Sequence, residues 1–64
     1  MNTQISNKTK KIFIIEDEKS LQEALAARLK KDGFETEAAS DGAEALEKLK
    51  TLTPDVILLD IILP

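Results

Sequence analysis

Two short apolar runs in this chain each end in acid. Lys11-Ile12-Phe13-Ile14-Ile15 is followed by Glu16-Asp17-Glu18, and Asp55-Val56-Ile57-Leu58-Leu59 is followed by Asp60. Unbroken Ile, Val, Leu and Phe of this length predict strands buried on both faces, as in a parallel sheet. Open sheets of that kind bind ligands at the carboxyl ends of their strands. If the two strands are neighbours, Glu16, Asp17 and Asp60 share one small pocket. Three carboxylates held close repel one another, so such a pocket takes a hard cation. Two plainer readings stand beside this one. The 16–18 acids also suit a solvated turn ahead of a helix amino terminus, and Asp60 also suits a turn after a strand.

Between the two runs, the pattern predicts helix, strand and helix. Ser20 and Glu23 have the spacing of a capping box. Leu21, Ala24, Leu25, Arg28 and Leu29 recur at helical intervals, the Arg28 stem lying along the apolar stripe. Lys30 and Lys31 suit the last turn, and Gly33 supplies a left-handed stop. Residues 34–39 alternate in polarity like a half-exposed edge strand. Asp41, with Glu44 three residues on, caps a second helix whose apolar face is Ala45, Leu46 and Leu49, with Leu52 as an extension. Pro54 prevents the helix from continuing. The order is β-α-β-α-β. A reversal of direction across the sheet gives the spatial order 2-1-3, with the first and third strands adjacent. Residues 1–10 are polar and aperiodic and are expected to form a flexible leader.

Composition narrows the function classes. The 64 residues suffice for one small domain, and a domain of this size buries only about 60% of its unfolded surface. Cysteine and histidine are absent, which removes disulfides, thiolate metal sites, histidine catalysis and the usual zinc sites. The net charge of −3 offers no basic stripe for nucleic acid. No apolar run reaches membrane-spanning length, and cytoplasmic residence is the expectation.

Four pieces, in order and at compatible spacing, resemble the amino-terminal half of a receiver domain of bacterial two-component response regulators. They are IFIIEDE, the Gly33-Phe34 pair, ASDGAEAL at 39–46, and PDVILLD running into IILP. The resemblance covers residues 11–64. It implies a flavodoxin-like α/β receiver half. It further implies that Asp60 is the phosphoacceptor nucleophile. Glu16 and Asp17 would be the acidic pair that holds Mg²⁺, and Ile62 would complete the metal site through its backbone carbonyl. Pro64 matches a proline in the loop after the acceptor strand. The chemistry is coherent: a carboxylate attacks phosphorus to give an acyl phosphate, and Mg²⁺ neutralises developing charge. The implied partner is a histidine kinase or phosphotransfer protein, and the implied role is a signalling module, not an enzyme.

Receiver domains continue for about as long again, with two more strands and three more helices. The Ser or Thr and the Lys that contact the phosphoryl group belong to that part. Residues 11–64 are therefore expected to form a truncated receiver half-domain with impaired phosphotransfer. Its third strand, Val56 to Leu59, would present an open edge that favours a homo-oligomer. The alternative function is a non-catalytic half-domain that folds by self-association or fragment complementation. A phosphatase with an aspartate nucleophile would want a second Asp two residues after Asp60, where Ile62 stands.

Overall fold

The architecture follows from which residues can leave water. In the computed structural model, which describes residues 9–59, β1 (Lys11–Ile15), α1 (Lys19–Lys31), β2 (Glu35–Ala39), α2 (Gly42–Leu49) and β3 (Val56–Leu59) succeed one another. The three strands form one parallel sheet in the order β2-β1-β3, as the sequence pattern predicts. Strand β1 is central, and Ile12, Phe13 and Ile14 are buried there. Phe13 and Ile14 lose essentially all solvent contact, worth roughly 1.5–3 kcal/mol each. Adjacent residues of a strand face opposite sides, so the two side chains anchor two separate packing layers.

On one face, Phe13 clusters with Ala39 and Ala45, flanked by Ile15, Leu49 and Leu52. This is where α2 lies. On the other face, Leu21 and Leu25 of α1 border a hollow of about 290 Å³ together with Ile14, Glu16, Leu58 and Leu59. That face is less closed. Leu21 is 38% exposed, and the one buried residue of α1 is Gln22. The expected apolar stripe is thus displaced toward a polar residue, because Gln22 finds partners in the sheet.

The helix ends differ in how well the pattern predicted them. Helix α1 begins at Lys19, and its N-cap is Glu18 in extended geometry (φ −86°, ψ 114°), without a side-chain cap hydrogen bond. The Ser20 capping box does not form. Ser20 lies inside the first turn, and its hydroxyl donates to Glu18 Oε2 at 3.3 Å. The Gly33 stop forms as expected, at φ +97°. The Gly33 amide donates to the Lys30 carbonyl and the Phe34 amide to the Leu29 carbonyl, both at 3.0 Å, which is a Schellman termination. Asp41 caps α2 by accepting from the Glu44 amide at 2.8 Å. Glu44 in turn accepts from the Ser40 amide at 2.9 Å. Leu46 departs from expectation: it is 70% exposed, since no described element covers that side of α2.

Strand β3 meets half of its expectation. It pairs with β1, but all four of its apolar side chains are exposed, from 39% at Leu58 to 53% at Leu59. Burial on both faces holds for β1 and not for β3. Asp55 fixes the start of the pairing. Its carboxylate accepts from the Lys11 amide at 2.7 Å, and its own amide donates to the Lys11 carbonyl at 2.9 Å.

Candidate functional site

The carboxyl ends of β1 and β3 come side by side because the register is fixed along their whole length. Ile12 is opposite Val56, and Ile15 is opposite Leu59. Glu16 is the next residue after Ile15. Asp60 is the next after Leu59, and it lies outside the described residues, as do Ile62, Pro64 and residues 1–8 of the leader.

Glu16 continues the ladder beyond β1, its amide donating to the Ala39 carbonyl at 3.0 Å. It is 2% exposed. Its carboxylate Oε2 accepts from the Glu18 amide at 2.9 Å. That bond folds the side chain back over the turn and supports an acceptor charge close to the start of α1, where the helix dipole favours negative groups. Asp17 sits at the bend between β1 and α1 and is exposed. The two acids therefore differ. Glu16 is tied into the protein, and Asp17 is open to water. Glu18 is exposed and serves as the N-cap position of α1.

The acids precede a helix amino terminus, and they stand at the carboxyl end of a central parallel strand. The donors offered there are carboxylate oxygens, hard ligands of the kind that suit Mg²⁺, and exposed Asp17 leaves room for an ion that keeps most of its water. Among the described residues, no three acidic side chains converge as a metal cluster. A complete donor set would need a contribution from beyond Leu59.

Sequence reasoning missed Gln22. Its amide Nε2 donates to the Glu16 carbonyl at 3.0 Å and to the Ala39 carbonyl at 3.2 Å, and the residue is 5% exposed. A single polar residue beside Leu21 on an amphipathic helix carries no signal of such a role, since one of its partners lies 17 residues away.

The response regulator receiver domain is the family description that matches this sequence, over residues 12–64. The chain belongs to the response regulator receiver family. The alkaline phosphatase synthesis transcriptional regulatory protein PhoP of Bacillus subtilis is 46% identical over 55 residues, covering 86% of this chain and 23% of that protein. The DNA-binding response regulators MtrA of Mycolicibacterium smegmatis and of Mycobacterium tuberculosis strain H37Rv are each 41% identical over 54 residues, covering 84% of this chain and 24% of theirs. The receiver chain spans about a quarter of the length of these relatives. The three-stranded 2-1-3 sheet with two helices is a receiver half-fold. The family is one of two-component signalling modules, not of classical enzymes. No described helix of this receiver chain is long and apolar enough to cross a membrane.

Proposed function

We propose that this chain is a receiver module that accepts a phosphoryl group on Asp60 in two-component signalling, with Mg²⁺ as cofactor and a histidine kinase or phosphotransfer protein as donor. The observation that carries the reading is the register: Ile15 is opposite Leu59, and the next residues along are Glu16 and Asp60. An Asp60 carboxylate oxygen attacks phosphorus as the bond from phosphorus to the donor breaks, and the electron pair of that bond leaves with the donor. Glu16, Asp17, Asp60 and the Ile62 carbonyl would hold the cation. When bound, Mg²⁺ supplies charge neutralisation and in-line orientation of the phosphoryl oxygens. Glu16 keeps the acidic turn folded, and Asp17 offers an exposed carboxylate.

Among these 64 residues, Lys10 and Lys11 stand at the opposite end of β1, so we expect them to give no help to the phosphoryl group and the adduct to form slowly. Incubation with acetyl phosphate or beryllofluoride and Mg²⁺ tests the reading by mass spectrometry. Wild type should carry one adduct on Asp60, and Asp60→Asn none. No adduct in wild type, or an equal one in the variant, removes the proposal.

The exposure of all four β3 side chains favours a second reading, a non-catalytic half-domain that completes its fold by pairing with itself or with a complementary half. A second copy of this chain, aligned antiparallel along Val56–Leu59, would cover the edge in one two-fold contact.

A further inference from the structure

We infer that Gln22 is a positioning residue for the acidic turn, and that its side-chain amide sets how tightly Glu16 and Asp17 hold a hydrated divalent cation. The inference rests on the metal-site reading above and adds a residue to it. Gln22 is an uncharged amide on the most buried part of α1. Burying such a group is unfavourable unless its hydrogen bonds are made. Its two N–H groups meet two carbonyls, of Glu16 at 3.0 Å and of Ala39 at 3.2 Å. The Ala39 carbonyl also accepts from the Glu16 amide at 3.0 Å. Both backbone polar groups of Glu16 are therefore fixed, its N–H by β2 and its C=O by α1. The Glu16 carboxylate is held as well, by the Glu18 amide at 2.9 Å.

The consequence falls on Asp17. Its peptide nitrogen is bonded to the carbonyl carbon that Gln22 anchors, so the direction in which the chain leaves Glu16 is decided by Gln22. A leucine at the same position has no side-chain N–H and would leave the Glu16 and Ala39 carbonyls without these two bonds. An outer partner that orients a metal-holding group typically accounts for a 10–100-fold change in metal affinity. A merely structural clamp between α1 and the sheet would change thermal stability and leave affinity unaltered at temperatures where the protein is folded.

Isothermal calorimetry with Mg²⁺ alone separates the two, using Gln22→Met, which keeps length and volume but has no N–H, and Asp17→Asn as the ligand control. At a temperature where circular dichroism reports all three chains folded, the Kd of Gln22→Met should rise at least tenfold, and Asp17→Asn should show no saturable binding. A Kd for Gln22→Met within twofold of wild type overturns the inference while leaving the metal site standing. Saturable binding that persists unchanged in Asp17→Asn, or is absent from wild type, instead defeats the metal-site reading and the inference with it. Should Gln22→Met fail to fold, wild type answers by itself in a ¹⁵N NMR titration. The Gln22 side-chain amide signals should shift in step with the Asp17 backbone amide as Mg²⁺ is added, and a stationary Gln22 signal at saturation overturns the inference.

Discussion

Asp41 and Glu44 close the start of α2 with one hydrogen bond each, and the two contributions respond differently to pH. The Asp41 carboxylate accepts from the Glu44 amide. Asp41→Ala leaves that amide without its cap and should cost about 1 kcal/mol, read as a lower urea midpoint with unchanged slope. Glu44 accepts from the Ser40 amide, and that bond is the main reason its carboxyl is held below the ordinary glutamate value of 4.5; partial loss of hydration opposes it, and Lys48 at 3.5 Å adds to it. A group whose folded pKa is depressed contributes stability above its unfolded pKa and loses it as the pH falls. Wild type should therefore exceed Glu44→Gln in stability near neutral pH, and the gap should close below about pH 4.5. A gap that stays constant from neutral pH to pH 3 would contradict the assignment.

At the scale of elements, the chain announces its boundaries where one residue type has one physical job. Gly33 is such a case. At φ +97° a side chain is strained even though a Cβ there would meet nothing within 4 Å. Gly33→Ala should destabilise by about 1–2 kcal/mol, and thermal melting should show it without any change in the folded circular dichroism spectrum. Asp41 and the alternation in β2 were legible for the same reason, whereas α2 ends at Leu49, before Pro54 can act as its stop. Ser20 was not, because Glu18 takes the extended N-cap geometry two residues earlier, and two polar residues so close cannot be ranked by spacing alone. Leu46 and Gln22 mislead together. Periodicity assigns leucine to the core and glutamine to water, yet burial is decided by what lies opposite. Leu46 faces nothing described, and Gln22 faces two carbonyls at the carboxyl ends of β1 and β2.

For the whole molecule, the sheet order and the adjacency of β1 and β3 could be read from two apolar runs and short crossovers. The acidic run at 16–18 was legible as a candidate site, and its internal asymmetry, with Glu16 buried and Asp17 open, was not. That asymmetry depends on the Glu18 amide and on β2. The same two-run pattern could not distinguish a covered third strand from an open one. β3 bonds to β1 along one edge, and its other edge has no partner among the described residues. Val56 and Leu59 are the most exposed of its side chains, at 51% and 53%. An apolar edge of this kind attracts another strand, and lysine is the residue with which natural edges are blunted. If a second copy occupies the edge, the chain should sediment as a dimer at micromolar concentration. Val56→Lys together with Leu59→Lys should shift it toward monomer by at least tenfold in dissociation constant. The buried layer of Phe13, Ala39 and Ala45 lies on the β1, β2 and α2 elements, so the double variant should keep its helical signal. A wild-type chain that sediments as a folded monomer would show instead that the β2-β1-β3 sheet, with α1 and α2 against it, buries enough surface to stand without a second copy.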